Sequence, residues 1–166
     1  MKLQRVPVGR IVNTHGVRGE VRALPRDVDP AFLTRFRTLY LDGEPVTVEA
    51  ARVHKGCALL RLAGVSDMDA ATALKGRELS IDRADAADVP FFDAELPGME
   101  VFDAATGECI GTLTKVEAYP ASKVYTVRGE HTYLIPAVPD AFILSVDAER
   151  NRMEVRVWEG LAQDAD

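Results

Sequence analysis

The chain has 166 residues, of which 47% are hydrophobic and 28% are charged. This length fits one ordinary domain or two small ones, and the composition is typical of a soluble globular protein. No apolar run approaches the roughly 18 residues of a membrane-spanning helix, and the N-terminus lacks the apolar segment of a secretory signal. We therefore expect a cytoplasmic protein without a membrane segment.

The net charge of −6 is unevenly distributed along the chain. Residues 1–85 carry 14 Lys and Arg against 11 Asp and Glu, whereas residues 86–166 carry 6 against 15. Because opposite charges attract, the first half suits an anionic ligand and the second half suits a basic protein. An acidic half also aids solubility, so charge alone leaves both interpretations of the second half open.

The first predicted element is a hairpin in residues 8–22, which read VGRIVNTHGVRGEVR. Apolar residues dominate the first flank and polar and apolar residues alternate in the second, as is typical of strands. Two glycines allow the connection to turn tightly. A basic loop of this kind can meet phosphates, or it can be a plain solvated hairpin. The candidate residues of the loop are His15, Gly16, Arg18, Gly19 and Arg22.

Short strands and two helices are predicted for the remainder of the first half. Asp29, directly before a proline, predicts the N-cap of a short helix. Ser66 and Asp69 form a capping-box pattern that predicts the start of a second helix, and Gly76 is expected to end it. Asp67 and Asp69 fit carboxylates at a helix N-terminus better than a catalytic acid–base pair. These elements favour a small closed β-barrel.

A domain boundary is predicted in residues 83–98, where four acidic residues and two prolines occur without apolar periodicity. We expect an N-terminal domain over 1–84, a linker over 85–97 and a C-terminal domain over 98–162. The second half contains only strand and turn patterns, so it favours a second small barrel or sandwich. Trp158 is expected to pack in its core.

The predicted linker carries an adjacent pair of phenylalanines, Phe91 and Phe92. One hypothesis is that they fill the contact between the two domains. The other is that at least one ring stays accessible and binds a partner, because aromatic side chains dominate interface energies. Three flanking carboxylates would form an acidic rim that suits a basic partner. They belong to Asp88, Asp93 and Glu95.

The chain shows no recognised catalytic, cofactor-binding or metal-binding motif. Phosphate-binding loops, dinucleotide fingerprints, zinc-protease motifs and serine-hydrolase motifs are missing from the sequence. The three histidines stand apart, without Cys or His at metal-ligand spacing. Cys57 and Cys109 lie far apart and are expected to be small buried hydrophobes rather than a disulfide. We therefore predict a binding protein without a cofactor.

The motif GRIVNTHGVRGEVR resembles the opening signature of the RimM family of ribosome maturation factors. The similarity continues through SDMDAATALKGREL, GMEVFDAATGECIGTLTKV and YLIPAVPDAFILSVDAERNRMEV, so it covers nearly the whole chain. The resemblance implies an N-terminal barrel like those of translation factors and a C-terminal PRC-type barrel. It implies a monomeric assembly factor that binds the head of the immature 30S subunit through the S19-family ribosomal protein. It also implies a role in 16S rRNA processing, without a cofactor.

The family usually has a tyrosine pair where this chain has Phe91 and Phe92. Phenylalanine keeps the apolar ring but removes two hydroxyl hydrogen bonds, each contributing about 1 kcal/mol. Two other functions remain open from the residues alone. One is a small barrel enzyme whose site is assembled in three dimensions. The other is a module that binds RNA directly through Arg10, Arg18 and Arg22.

Overall fold

The computed structural model describes residues 2–158 and 161–163. The chain divides into two compact units. The first unit is Gln4–Ala87, and the second comprises the described residues from Asp88 onward together with Lys2 and Leu3. Both units are built mainly from β-strands, and the described residues include two short α-helices. The predicted mostly β fold is therefore confirmed.

The first unit is a closed six-stranded barrel with strand order β1-β2-β5-β4-β3-β6. Antiparallel pairing of β1 with both β2 and β6 closes the ring, as Arg5 opposite Asp82 illustrates. Alternate residues of the strands point inward, so Val21 and Leu60 are fully buried opposite each other. Its elements are β1 (Arg5–His15), β2 (Glu20–Pro25), α1 (Pro30–Leu33), β3 (Thr38–Leu41), β4 (Glu44–His54), β5 (Cys57–Leu62), α2 (Met68–Thr72) and β6 (Glu78–Asp82).

Both helices begin at an aspartate that caps the backbone. The Ala31 amide donates to the Asp29 carboxylate over 2.9 Å, so the N-cap predicted for α1 is confirmed. In α2 the prediction of Ser66 as the N-cap is wrong by one position. The Asp67 carboxylate is the cap and accepts a 2.8 Å hydrogen bond from the Ala70 amide. Asp67 is thus a helix cap, as the sequence indicated.

The second unit contains a seven-stranded sheet with the order β11-β12-β7-β8-β9-β10-β13. Its strands pair antiparallel except β12 and β7, which are parallel. A core of apolar side chains, including Leu96, Leu113 and Ile135, packs inside this unit. Its strands are β7 (Glu100–Asp103), β8 (Cys109–Ala118), β9 (Lys123–Arg128), β10 (Thr132–Pro136), β11 (Ile143–Asp147), β12 (Arg152–Val155) and β13 (Ala162–Gln163).

Two expectations about this second half are wrong. Trp158 follows the end of β12 and is 49% exposed, with its ring 4.6 Å from the Phe142 ring between centroids. It therefore covers another aromatic side chain at the surface instead of filling the core. Cys109, at the start of β8, is exposed, whereas Cys57 is buried as expected. Both cysteines are free.

The predicted linker contains two 3₁₀ helices, Arg83–Ala86 and Asp93–Glu95. Within this stretch Glu95 and Leu96 are buried. The Glu95 carboxylate accepts hydrogen bonds from the Phe92 amide at 2.9 Å and from the Leu3 amide at 3.0 Å. This stretch is therefore more ordered than an open linker. In the described ranges, no helix has the length and apolar character needed to cross a membrane.

Candidate functional site

The loop between β1 and β2 has the tight geometry that its glycines predicted. Gly16 has φ +67° and Gly19 has φ +90°, which are left-handed values that glycine adopts without strain. A Cβ at Gly19 would lie 2.6 Å from the Val65 carbonyl oxygen, so the loop packs closely against the backbone before α2. Arg18 and Val17 are exposed at the tip, and Val17 is 71% exposed.

A second hairpin, between β4 and β5, brings more basic residues to the same region of the barrel. The rings of His54, which ends β4, and His15, which ends β1, lie 5.2 Å apart between centroids. Arg52 Nη2 lies 3.6 Å from the Glu20 carboxylate at the start of β2. The two hairpins therefore share one surface. We call this set the two-hairpin cluster; it comprises His15, Glu20, Arg22, Arg52, His54 and Lys55.

Strand register explains how residues distant in sequence meet in this cluster. Leu59 in β5 pairs with Arg22 in β2 on one side and with Arg52 in β4 on the other. Directly paired residues of neighbouring strands point to the same face of a sheet. The two arginines therefore flank Leu59 on the side of the sheet opposite the fully buried Val21.

Positive charge dominates the electrostatics of the two-hairpin cluster. Partial burial lowers the pKa of His54 below its usual value, and repulsion from neighbouring basic side chains lowers it further. These side chains belong to His15, Lys55, Arg52 and Arg22. Among the described residues the Arg22 guanidinium has no carboxylate partner, and its Nε is buried without a hydrogen-bond acceptor. Glu20 is the acidic member of the cluster.

Only part of this cluster was predicted from the sequence. His15 and Arg22 belong to it, whereas Arg18 lies at the exposed tip of the first loop. Sequence reasoning missed Arg52, His54 and Lys55 as site residues. These three residues could not be predicted as part of the site, because the order in which strands pair is not written in their local sequence pattern.

The two residues of the aromatic pair, Phe91 and Phe92, differ in their burial. Phe92 is 7% exposed, so its ring is buried. Phe91 is half-buried, and part of its ring packs against the core of the second unit. Phe91 is therefore the member of the pair that keeps an accessible surface.

The hypothesis of an acidic rim around this pair is wrong for Glu95. Its side chain is 1% exposed, and its carboxylate is used to accept the two backbone hydrogen bonds described above. Asp93 forms an ion pair with Lys123, so its charge is compensated within the second unit. Asp88 is exposed, as the hypothesis required.

A groove lies on the face of β8, β9 and β10 in the second unit. Its volume is about 480 Å³, and its wall includes Leu134 and Tyr119, which are 41% and 54% exposed. Thr126 lies in its lining with 2% exposure, and its hydroxyl has no hydrogen-bond partner among the described residues. Charged side chains also line this groove, including an ion pair of Lys115 with Glu117 at 2.9 Å.

No three His, Cys, Asp or Glu side chains within 2–158 and 161–163 lie close enough to hold a metal ion.

Comparison with known proteins shows the family to which the chain belongs. A family model, the RimM N-terminal domain, matches residues 6–86. A ribosome maturation factor RimM from Acetivibrio thermocellus is 35% identical, with 98% of both chains covered. The chain belongs to the RimM family. The resemblance seen in the opening motif is thereby confirmed.

Other RimM proteins are similar over comparable lengths. The ribosome maturation factor RimM of Lactobacillus delbrueckii subsp. bulgaricus is 36% identical, covering 93% of this chain and 96% of the relative. A crystal structure of a RimM 16S ribosomal RNA processing protein from Pseudomonas aeruginosa is 26% identical, with a TM-score of 0.46, covering 93% of this chain and 98% of that chain. The solution structure of the RimM N-terminal domain from Thermus thermophilus is 25% identical, with a TM-score of 0.44, and covers 50% of this chain and 94% of that one.

The match to the RimM N-terminal domain contains the whole two-hairpin cluster, because it extends from residue 6 to residue 86. Phe91 and Phe92 lie beyond it. The two candidate surfaces therefore belong to different units of this RimM-family chain.

Proposed function

We propose that this chain is a ribosome maturation factor that binds the head of the immature 30S subunit through the S19-family ribosomal protein. In this role it promotes assembly of the subunit and processing of 16S rRNA. The observation that carries the proposal is near full-length similarity to relatives named ribosome maturation factors. We further propose a cytoplasmic monomer that performs no catalysis and needs no cofactor.

The charge distribution supports a division of labour between the two units. Residues 86–166 carry 15 acidic against 6 basic residues, which favours encounter with a basic ribosomal protein. Asp88 and Glu100 are exposed acids of this unit. The accessible part of Phe91 supplies apolar surface that a partner could cover. The basic loop of the first barrel would then face the ribosomal particle.

Co-sedimentation tests the proposal directly. The full-length chain is mixed separately with purified immature 30S subunits, mature 30S subunits and 50S subunits, and the pellets are assayed for it. We expect association with the immature 30S subunit alone. Equal association with the 50S subunit, or none with the immature 30S subunit, would overturn the proposal.

The partner-binding role of Phe91 is tested by Phe91→Ala, with Phe92 left unchanged because it is buried. We expect faster dissociation from the isolated S19-family protein and a loss of about 2 kcal/mol, or about thirty-fold in Kd. The matched control is Phe32→Ala, because Phe32 is half-buried in the other unit. An unchanged dissociation rate for Phe91→Ala, with the fold intact, would show that its ring is structural.

Exposed carboxylates of the same unit should affect the association rate, whereas Phe91 should affect the dissociation rate. Neutralising Asp88 and Glu100 together should slow association and leave dissociation nearly unchanged, because rim charges steer the encounter. The effect should fade as salt screens the charges. An association rate that is insensitive to both salt and these substitutions would argue against electrostatic steering.

Direct binding to RNA remains the second candidate function, and the two-hairpin cluster is the observation that favours it. The two candidates are separated by measuring Kd against salt for naked 16S rRNA and for the isolated S19-family protein. Tight, steeply salt-dependent binding to the RNA without binding to the protein would favour the RNA module.

A further inference from the structure

We propose that the two-hairpin cluster is a phosphate-binding site that takes a backbone phosphate of RNA. The inference rests on the proposed action on a ribosomal particle and adds a ligand class to the first barrel. It assigns residues of the second hairpin, between β4 and β5, to the same site as the first loop.

Convergence of cations from separate strands is the first argument. Arg22 comes from β2, Arg52 from β4, and Lys55 from the turn that follows β4. Pairing within a closed barrel fixes the backbone of each strand, so the positions from which these cations project are set before a ligand arrives. One carboxylate, that of Glu20, balances part of this charge through Arg52. A cluster with surplus positive charge favours a phosphate, the repeating anion of RNA.

Arg22 supplies the second argument. Its side chain is half-buried, and within the described ranges it has no carboxylate partner. Burying a guanidinium without an acceptor is unfavourable unless the free donors are used by a ligand. The planar fork of arginine matches the oxygens of a phosphate, so a phosphodiester at the accessible part of this half-buried side chain would provide acceptors for its guanidinium.

The paired imidazoles give the site a dependence on pH. The basic groups that act on His54 are His15 on β1, Arg22 on β2, and Arg52 and Lys55 from its own hairpin. The nearby carboxylate of Glu20 pairs with Arg52. Burial and neighbouring positive charges lower the pKa of His54 below its usual value, so they favour the neutral ring. A bound phosphate offsets those charges and favours the protonated ring. Binding should therefore take up a proton and tighten as the pH falls.

The first test measures fluorescence anisotropy of a fluorescein-labelled RNA stem-loop titrated with the full-length chain over a salt series. Arg22→Gln and Lys55→Gln should each weaken binding at least about five-fold and reduce the salt slope by about one. Lys75→Gln is the matched control, since Lys75 is an exposed cation of the same barrel outside the cluster. If the control weakens binding as much as Lys55→Gln, attraction is diffuse and the proposed site is wrong.

The second test follows RNA affinity between about pH 8 and about pH 6, the range in which histidine titrates. The unaltered chain should bind several-fold more tightly at the lower pH. His54→Gln should remove most of this gain, so that the affinity of the variant changes little between about pH 8 and about pH 6. A pH dependence that survives the substitution would overturn the role assigned to His54.

Competition identifies the source of the phosphate. Inorganic pyrophosphate is added to the complex of the chain with the labelled RNA. If it displaces the RNA only at the concentrations at which sodium sulfate does, the RNA assignment stands. Displacement at micromolar pyrophosphate would show a site for free phosphates and overturn it. If the unaltered chain fails to bind the RNA but still sediments with immature 30S subunits, this inference alone is refuted. If the unaltered chain does not sediment with immature 30S subunits, the proposed function is refuted.

Discussion

Tyr125 couples the stability of the second unit to alkaline pH. Burial raises the pKa of Tyr125 to about 12, and the negative charge of Asp93 adds to this effect. In the unfolded chain a tyrosine titrates near about pH 10. The folded state therefore holds its proton more tightly, and this contribution to stability is complete below about pH 10 and is lost as the pH rises to about 12.

This linkage gives a prediction for Tyr125→Phe. The difference in unfolding free energy between the unaltered chain and the variant should be constant up to about pH 10. It should then shift steadily against the unaltered chain towards pH 12. Urea denaturation across a pH series measures it, and Tyr119→Phe is the control because Tyr119 is 54% exposed. Parallel stability curves for the unaltered chain and Tyr125→Phe would contradict the assignment.

Glu95 should matter for stability rather than for partner attraction. Replacing it by Ala leaves the buried amide of Phe92 and the partly buried amide of Leu3 without this acceptor. We expect a destabilisation of about 2–4 kcal/mol, measured by chemical denaturation. Glu130→Ala, at an exposed carboxylate of the same unit, should change stability by less than about 0.5 kcal/mol. Equal effects of the two substitutions would argue against the buried hydrogen bonds.

The predictions for Glu95 and Trp158 were wrong for one physical reason, because the burial of each side chain depends on residues that are distant in the sequence. Acidic residues are mostly exposed, so Glu95 in a segment rich in Asp and Pro was assigned to a rim. Its burial depends on two backbone amides, one of which is 92 residues away. Trp158 was placed in the core for the opposite reason, because large aromatic side chains are usually buried. Neither outcome can be read from the neighbouring residues.

The loop between β1 and β2 contains a matched pair of glycines that should respond differently to substitution. Gly16→Ala meets no atom within 4 Å and should cost only the left-handed backbone strain, about 1–2 kcal/mol. Gly19→Ala adds collisions at 2.6 Å with the Val65 oxygen and at 2.9 Å with the Asp67 nitrogen. It should cost about 2–4 kcal/mol.

Thermal and urea unfolding of both glycine variants measure this difference, and RNA or subunit binding at a temperature where both remain folded gives a second readout. Equal stabilities for the two variants would mean that the loop can move away from the backbone before α2. The close packing described for Gly19 would then be wrong.

Elements with local signals were predictable, and their assembly was only partly so. The cap of α1 at Asp29 and the two hairpin turns follow from short-range turn and capping chemistry. The approach of His15 to His54 does not, because β5 comes between β2 and β4 in the sheet and the register is set by barrel closure. The motif that identified the family lies in one of these hairpins and says nothing of the other.

At the scale of the whole chain, limited proteolysis should begin in the segment between the two units. Most residues of this segment are exposed, while the flanking strands are hydrogen-bonded. The exposed residues are Ala84, Asp85, Ala87, Asp88 and Pro90. We expect the first cuts within residues 84–90, leaving two fragments of mainly β structure, identified by mass spectrometry and circular dichroism. First cuts within 99–158 would contradict this boundary.

The family and the two-part organisation could be predicted from the sequence because they depend on long motifs and on composition. The charge contrast between the two halves is a property of the residues themselves. Prolines and acidic residues predict a boundary in this part of the sequence. The two 3₁₀ helices could not be predicted, because a single turn has too few residues to show periodicity.

The hydrogen bond from Leu3 to Glu95 has a topological consequence. Lys2 and Leu3 belong to the second unit, so the polypeptide leaves that unit, forms the entire barrel and then returns. The barrel is thus an inserted domain, and its paired first and last strands keep its two ends adjacent, as an insertion requires. During synthesis the barrel can fold first, because the hydrogen bond from Leu3 to Glu95 can form only after residue 95 has emerged. Removing residues 1–3 should therefore weaken the second unit and spare the barrel.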